Sequence, residues 1–215
     1  MDVLIDNRGE MLRAFLVTLR LFGLSAVASL LLGTLLATLR VCPVPVLRWV
    51  GSAYVGVVRN TPLVLVFSLI VFGMPTLGLH TSFFRFAAAA LAVYTSAFVC
   101  EALRSGINAV EPGQAEAARA LGLTFRQNLT LVVLPQAVRA GIQPVANVLI
   151  ALVRNTAVAE AFGLTEAGAT LENLLRDNPG SLYPLFLGTA AEYMAVVFVL
   201  ATIARTLERR LLVVR

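Results

Sequence analysis

Five charged residues lie in or at the edges of long apolar stretches of this chain, and their chemistry needs an explanation. They are Arg59, Glu101, Arg139, Arg154 and Glu192. A charge at the centre of a membrane-spanning helix costs about 2.5 to 3.5 kcal/mol on insertion scales. Each therefore forms an ion pair, extends its charged head to the membrane surface, or contacts a solute in a pathway. Glu101 lies near the end of its stretch, so we expect its head to reach the surface.

Arg59 and Arg154 are the candidates for solute binding, because polar residues follow each of them. A guanidinium has a planar fork that pairs with a carboxylate through two parallel hydrogen bonds. We therefore predict that at least one of these arginines contacts a carboxylate-bearing solute, with a structural ion pair as the alternative. The other candidates along this pathway are Thr61, Asn147, Asn155 and Thr156. Asn147, like Gln143, is a weaker candidate because amides also hydrogen-bond between helices.

We find no motif for a catalytic site in the sequence. The chain contains no glycine-rich loop ending in Lys-Ser or Lys-Thr, so we expect that it does not bind ATP itself. The single histidine, His80, follows a Gly- and Pro-rich turn and is predicted to be solvated. Cys42 and Cys100 lack the spacing of metal ligands. We expect neither an enzyme nor a metal or cofactor site.

Composition places these residues in a membrane protein. Of the 215 residues, 59% are apolar and 13% are charged, which is far from the balance of a soluble domain. A net charge of +5 would suggest nucleic acid as the partner of a soluble protein. Here the arginines are scattered between apolar runs instead of being gathered on one surface, so we expect membrane topology to explain them and no nucleic-acid binding.

The apolar runs predict a single all-α integral membrane domain over residues 1–215 with about five spans. A helix needs roughly 20 apolar residues to cross the hydrocarbon core. The predicted spans are residues 21–39, 50–72, 84–103, 129–153 and 184–204. Proline is predicted to interrupt the second span at Pro62 and to break the fourth at Pro135 and Pro144. A cleaved signal peptide is the alternative for the first span, but its apolar run is too long and acidic residues precede it.

Arginines near the span ends predict the orientation. With the N-terminus outside, nine arginines lie on the cytoplasmic side and four or five on the other. The cytoplasmic set is Arg40, Arg48, Arg104, Arg119, Arg126, Arg205, Arg209, Arg210 and Arg215. This N-out, C-in topology puts the acidic connection 155–183 outside. It puts the polar segment 105–128, between the third and fourth spans, in the cytoplasm.

That cytoplasmic segment has the pattern of a short helix, a tight corner and a second helix. Pro112 suits a first turn, and Gly122 can supply the left-handed residue that ends a helix. Thr124 with Gln127 fits a capping box that starts the next helix. The first helix is rich in alanine, with Glu116 and Arg119 three residues apart as an expected charge pair. It is predicted either to dock into another protein or to lie at the membrane surface.

The spacing in this segment resembles the EAA motif of binding-protein-dependent ABC importer permeases. The motif is Glu-Ala-Ala, three residues, Gly, nine residues, an aliphatic residue, one residue, then Leu-Pro. This chain matches it at Glu116, Ala117, Ala118, Gly122, Val132, Leu134 and Pro135. The resemblance implies that these residues form a coupling helix and its corner, which contact partner ATPases and transmit their motion to the spans.

Further motifs resemble permeases of the polar amino acid uptake family. They are Arg59 to Leu63, Ser105-Gly106-Ile107, Leu134 to Ala137, and Ile150 to Leu152 leading into Asn155-Thr156. Tyr94 to Phe98 and Val58 to Pro62 are most similar to actinobacterial glutamate permeases, and Asn60 departs from the glycine usual in the wider family.

This family resemblance implies a bacterial plasma-membrane importer in which this chain is one permease subunit. Its implied partners are two ATP-hydrolysing subunits, a second homologous permease and an extracytoplasmic substrate-binding protein. The implied substrate is glutamate, with glutamine, aspartate or a basic amino acid as alternatives. A channel or secondary transporter would need paired inverted halves, and five spans do not divide equally. A membrane scaffold is the remaining alternative.

Overall fold

The chain forms a bundle of long helices joined by short ones. A computed structural model describes residues 2–210, and every regular element in that range is helical. The main helices are α1 Arg8–Val41, α2 Pro45–Arg59, α3 Leu63–Ser68, α4 Phe83–Asn108, α5 Pro112–Ala120, α6 Leu134–Asn155, α7 Ala167–Asp177 and α8 Leu182–Arg210. Shorter pieces are Asp2–Asp6, a π-helical turn Leu69–Gly73, Met74–Thr76, Phe125–Gln127, a second π-helical turn Asn128–Val133, and 3-10 turns Thr156–Phe162 and Pro179–Ser181.

Four helical segments are long and apolar enough to span a membrane. They are Arg8–Val41, Phe83–Asn108, Phe125–Phe162 and Pro179–Arg210. These segments contain the predicted first, third, fourth and fifth spans, so those four predictions are confirmed. The predicted second span, residues 50–72, is instead a pair of helices, α2 and Leu63–Thr76, bent by 107°.

The bend follows from the residues between α2 and α3. Pro62 cannot donate a backbone hydrogen bond and disfavours a helical conformation at Thr61. Thr61 and Asn60 instead donate side-chain hydrogen bonds to the carbonyls of Val57 and Gly56, 2.8 and 2.7 Å away. These bonds close the end of α2, and a new helix starts in another direction.

The predicted breaks at Pro135 and Pro144 are wrong, because the helix continues through both. Pro135 stands in the first turn of α6 directly after the π-helical turn Asn128–Val133. A turn with i→i+5 bonds is wider than an α-helical turn, and we attribute the tolerance of the proline ring to this extra space. Pro144 lies inside the continuous helix α6.

Helix α4 is the centre of the bundle and packs against α1 and α6. Its buried face is rich in alanine and other small residues, which lets neighbouring backbones come close. Leu91 of α4, Leu21 of α1 and Leu152 of α6 are completely buried. The closest approach is at Gly106, where an added Cβ would lie 2.5 Å from the Ala137 carbonyl oxygen and 2.9 Å from Gly141. Small residues of this kind form the interfaces between membrane helices.

Replacing Gly106 by valine is expected to lower the yield of folded protein and its thermal stability. Backbone atoms of α6 cannot move aside locally, and overpacking of a tight contact costs about 1–3 kcal/mol or more. Size-exclusion profiles and melting curves in detergent measure the effect. Gly23→Val is the matched control, since a Cβ at Gly23 meets no atom within 4 Å. Equal stability of the two variants would contradict the close α4–α6 contact.

The amino-terminal end of the bundle is held by a buried carboxylate that sequence reasoning missed. Glu166 is completely buried and caps α7 by accepting hydrogen bonds from the backbone N–H groups of Gly168 and Ala169. Its other oxygen accepts from the hydroxyls of Thr18 in α1, at 3.0 Å, and Tyr193 in α8, at 2.8 Å. One side chain therefore connects three elements.

Glu166→Ala is expected to destabilise the protein strongly. The change leaves two hydroxyls and two backbone N–H groups without their acceptor, and hydrogen bonds to a charged group contribute about 1.5–3 kcal/mol each. The control is Glu172→Ala on α7, where the carboxylate is exposed and Arg176 four residues on lowers its pKa. Melting curves should shift for Glu166→Ala and barely for Glu172→Ala. The reverse order would contradict the connecting role of Glu166.

The two ends of the bundle carry different elements, in agreement with the predicted topology. At one end α7 and the start of α8 pack on the amino-terminal region, through Leu174, Leu185 and Met11. Glu208, near the C-terminal end of α8, accepts a 2.7 Å hydrogen bond from Gln143 of α6, so α8 runs antiparallel to α6 and its C-terminal end points toward the side on which α6 starts. Helix α5 and the C-terminal end of α8 therefore lie on the same side of the bundle, as the N-out, C-in prediction requires.

Candidate functional site

The segment around Glu116 folds as the sequence predicts. Pro112 opens α5, and Gly122 ends it in the left-handed region with φ of 82°. The N–H of Gly122 donates to the Arg119 carbonyl, and the N–H of Leu123 donates to the Ala118 carbonyl. These two bonds form a Schellman cap, which turns the chain sharply and favours glycine at the left-handed position.

A new helix starts immediately after the corner. Thr124 accepts from the N–H of Gln127 at 3.3 Å, and the Gln127 side chain accepts from the N–H of Thr124 at 2.9 Å. The predicted capping box is confirmed. Val132, Leu134 and Pro135 of the motif lie in the helical segment that follows it.

Asn128 fixes the angle between the two arms of this corner, and sequence reasoning missed it. Its side-chain amide donates a 2.9 Å hydrogen bond to the Ala115 carbonyl of α5, across 13 residues of chain. The residue is buried. Because the bond crosses from one arm to the other, we expect the corner to move as a unit. The sequence signal that could have indicated Asn128 is a polar residue at the start of a predicted apolar helix.

The corner exposes two large apolar side chains. Leu121 is 81% exposed and Phe125 is 83% exposed, one on each side of Gly122. Glu116 and Ala117 are exposed beside them, whereas Ala118 is buried against the chain itself. The expected Glu116–Arg119 ion pair is wrong: no such contact within 4.0 Å occurs in the described part of the chain. Both charges are free to meet another surface.

A mostly apolar pocket between α4 and α6 brings together two of the predicted solute-pathway residues. Asn147 and Asn155 line a pocket of about 390 Å³ with Tyr94, Thr95 and Phe98. The Thr95 hydroxyl is buried without a hydrogen-bond partner. Within residues 2–210 the side-chain amides of Asn147 and Asn155 also make no hydrogen bond. The pocket therefore offers three polar groups that a solute can satisfy.

Arg59 lies beside this pocket in a cluster of charges around Glu101. The Glu101 carboxylate contacts Arg40, Arg104 at 3.4 Å and Arg59 at 3.6 Å. Glu101 therefore forms the ion pair that was the alternative to a free head at the membrane surface, because three guanidinium groups contact its carboxylate. Arg59 also lies over the ring of Phe98, 5.5 Å from its centroid, and Phe98 lines both this cluster and the neighbouring pocket.

The remaining candidates occupy different environments. Arg154 is exposed at the end of α6, with no carboxylate within 4.0 Å in the described residues. Thr61 donates to the Val57 carbonyl at the bend after α2. Thr156 is completely buried and donates to the Val153 carbonyl. The structure therefore brings Asn147 and Asn155 into one pocket, places Arg59 next to it, and leaves Thr156 facing the protein interior.

A helical membrane domain with a helix–turn–helix corner at one end and a pocket with a few polar groups between its helices has the architecture of a transport permease. The family model for "binding-protein-dependent transport system inner membrane component" matches residues 29–213. The chain belongs to this family of ABC importer permeases, and it is a multi-pass protein of the bacterial plasma membrane.

Relatives and solved structures agree with this assignment. The chain is 43% identical to the glutamate transport system permease protein GluC of Corynebacterium efficiens, with 88% of each chain covered. It is 34% identical to the probable glutamine ABC transporter permease protein GlnM of Bacillus subtilis, over 98% of this chain and 97% of that one. A crystal structure of an amino acid ABC transporter with histidines superposes with a TM-score of 0.87 at 27% identity, covering 96% of both chains.

Together these findings define the chain as a permease subunit of an ABC amino acid importer. A chain in a structure of the MetNI methionine ABC transporter, at 21% identity, shares the fold with a TM-score of 0.74 over 94% of this chain.

Proposed function

We propose that this permease imports glutamate, driven by partner ATPases that act on the Glu116 corner. The observation that carries the proposal is the corner itself. All seven motif residues lie on one helix–turn–helix unit that is held rigid by Asn128 and presents Leu121 and Phe125 outward. An exposed apolar pair on a rigid element suits docking into a groove of another protein.

The second arm of the corner transmits the motion of the ATPases to the membrane spans. The capping box, the π-helical turn and α6 form one helical segment, Phe125–Phe162, which runs from the corner to the far end of the bundle. When the ATPases close on ATP, α5 moves with the groove that holds it. The segment then rotates α6 relative to α4 and changes the access of the pocket between them.

The substrate contacts proposed for the pocket match a small amino acid. Asn147, Asn155 and Thr95 supply unpaired amide and hydroxyl groups. Arg59, beside the pocket, and Arg154, at the end of α6, supply guanidinium groups for carboxylates along the same pathway. The cluster of Arg40, Arg59 and Arg104 around the single Glu101 carboxylate has two excess positive charges, which favours an acidic substrate approaching the pocket. The relatives named as glutamate permeases support the same choice.

The remaining partners follow from the importer class. We propose two ATPase subunits on the side of α5, a second homologous permease and a substrate-binding protein on the side of α7. The permease itself holds no cofactor in this scheme, and ATP is bound by the ATPase subunits.

Competition for uptake tests the substrate. The chain is reconstituted in proteoliposomes with its ATPase, second permease and binding protein, and uptake of labelled glutamate is measured with excess unlabelled aspartate, glutamine or arginine. We expect unlabelled glutamate to compete best. Competition by glutamine or arginine but not by glutamate would reassign the substrate to another polar amino acid.

The two arginines are tested together by the double variant Arg59→Gln and Arg154→Gln. Glutamine keeps hydrogen-bonding capacity and removes the charge, so uptake of glutamate is expected to fall by more than about tenfold, equivalent to 1.4 kcal/mol. Uptake of glutamine, if the complex transports any, should fall less. Normal glutamate uptake by a normally expressed double variant would show that neither arginine contacts the substrate.

A further inference from the structure

A second pocket, between the ends of α1 and α2 and the side of α4, has mostly polar walls. Its volume is about 370 Å³, within the range of about 300–1,000 Å³ that small-molecule sites have. Its charged walls are Arg40 of α1, Arg59 of α2 and Glu101 of α4, and its neutral polar walls are Ser52 and Asn60. We call it the arginine pocket.

The arginine pocket and the pocket of Asn147 and Asn155, the asparagine pocket, lie in series along α4. Phe98 lines both of them. Glu101 lies about one turn beyond Phe98, toward the end of α4 that leads into α5, and Arg40 lies in the last turn of α1. The arginine pocket is therefore on the cytoplasmic side of Phe98. A solute that leaves the asparagine pocket toward the cytoplasm passes Phe98 and meets the arginine pocket next.

The charged groups of the arginine pocket have unused hydrogen-bonding capacity. The hydrogen bonds that Arg40 and Arg104 donate to Glu101 both end on Oε1, so Oε2 accepts none within residues 2–210. The Arg59 side chain is 45% exposed, and its contact with Glu101, at 3.6 Å, also ends on Oε1. The Nε of Arg40 has no hydrogen-bond partner in the described chain. Two guanidinium groups and one carboxylate oxygen can therefore pair with a ligand.

These charges are the complement of an acidic amino acid. Glutamate and aspartate carry two carboxylates and one ammonium group, and the pocket has two guanidinium groups and one carboxylate. A guanidinium pairs with a carboxylate through parallel hydrogen bonds, and an ammonium group can donate to Oε2 of Glu101. Phosphate, or a dicarboxylate without an amino group, brings negative charge to Glu101 and leaves Oε2 unpaired. The carboxylate of Glu101 therefore disfavours such anions.

We propose that the arginine pocket is a second binding site for an acidic amino acid, which receives the substrate before its release to the cytoplasm. Arg40 and Arg59 hold the two carboxylates, and Glu101 accepts from the ammonium group. The inference rests on the proposed import of glutamate, because it adds a later station on the same pathway. Several sites in series, none of them very tight, let a solute both enter and leave a pathway.

Melting temperatures of the purified permease–ATPase complex, without the binding protein, test the site. Glutamate, glutamine, glutarate or phosphate is added at equal ionic strength, since a ligand that binds only the folded state raises the melting temperature. The variant Asn147→Leu and Asn155→Leu isolates the arginine pocket. We expect it to keep about half of the wild-type rise with glutamate, because one of two sites remains.

The other three ligands test the recognition of each charge in that variant. Glutamine lacks the second carboxylate, glutarate lacks the ammonium group, and phosphate lacks both, so each should raise the melting temperature much less than glutamate. No rise with glutamate would overturn the inference. A rise with glutarate or phosphate equal to that with glutamate would also overturn it, because the pocket would then bind anions without selecting an amino acid.

Filling the arginine pocket gives a variant that keeps all its charges. Gly56 lines the pocket, and a Cβ there meets no atom within 4 Å, so leucine can occupy the pocket without displacing α2. Added to the asparagine variant, Gly56→Leu should abolish the remaining rise with glutamate. The matched control is Gly23→Leu in α1, where a Cβ also meets no atom within 4 Å, and it should leave the rise unchanged. Equal rises in these two variants would contradict binding in the arginine pocket.

Uptake of glutamate by the wild-type complex, with the binding protein and ATP, separates this inference from the proposed function. Absence of glutamate uptake would contradict the proposed function. Normal wild-type uptake, combined with no glutamate-dependent rise in the asparagine variant, would remove the second site and leave the importer function intact.

Discussion

The double variant Leu121→Ser and Phe125→Ser is expected to abolish ATP-driven uptake and to release the ATPase subunits during purification. Both side chains are more than 80% exposed in the isolated chain, and the proposed docking buries them. Burial of a Leu or Phe side chain contributes about 1.5–3 kcal/mol. Loss of two such contacts lowers affinity by about two to four orders of magnitude.

The matched control is Leu77→Ser. Leu77 is 72% exposed, like the two corner residues, but it follows the bent helix pair Pro45–Arg59 and Leu63–Thr76, well away from the corner. ATPase recovered with the tagged chain and uptake in proteoliposomes should be close to wild type in this control. Full recovery of ATPase with the corner variant would contradict docking through Leu121 and Phe125, even if uptake were impaired.

The pocket variant Asn147→Leu and Asn155→Leu is expected to lose most glutamate uptake while keeping its ATPase subunits. Leucine has the same number of side-chain heavy atoms and the same branching as asparagine, but it removes both amides and leaves substrate groups without partners. Each polar group left unpaired on burial costs about 1–3 kcal/mol. The combined loss therefore corresponds to about 30-fold or more in uptake at low substrate concentration.

Two measurements separate a substrate role from a structural one in the pocket. Co-purified ATPase and the melting temperature should stay near wild type, because neither amide bonds to another residue in the described chain. Asn7→Leu is the control, since the Asn7 amide bonds only to the nearby Val3 carbonyl and should leave uptake unchanged. Wild-type uptake by the pocket variant would show that the substrate follows another route.

The elements best predicted from the sequence are those with local causes. Pro112, Gly122 and the Thr124–Gln127 pair predict the corner because helix starts and stops depend on a few adjacent residues. Four of the five spans are predicted from apolar run length alone. Pro62 gives the position of the interruption in the second span, but the 107° angle depends on how α2 and α3 pack against the rest of the bundle.

Contacts between distant residues could not be predicted. Glu166 belongs to an acidic connection in the sequence, and its burial depends on Thr18 and Tyr193, which are 148 and 27 residues away. Glu101 likewise stood near a span end, and only the fold brings Arg40 and Arg59 to it. Thr156 follows Asn155 directly, yet consecutive residues of a helical segment point in different directions. One therefore lines the pocket and the other is buried.

The central claim is that this chain is a passive pathway driven by ATPases at the Glu116 corner. It is tested most directly by glutamate uptake into proteoliposomes that contain the complete complex, with the binding protein outside and ATP inside. We predict uptake that needs both ATP and the binding protein and that disappears with the Leu121→Ser and Phe125→Ser variant. Uptake that continues without ATP, or that follows an ion gradient in the corner variant, would contradict the claim.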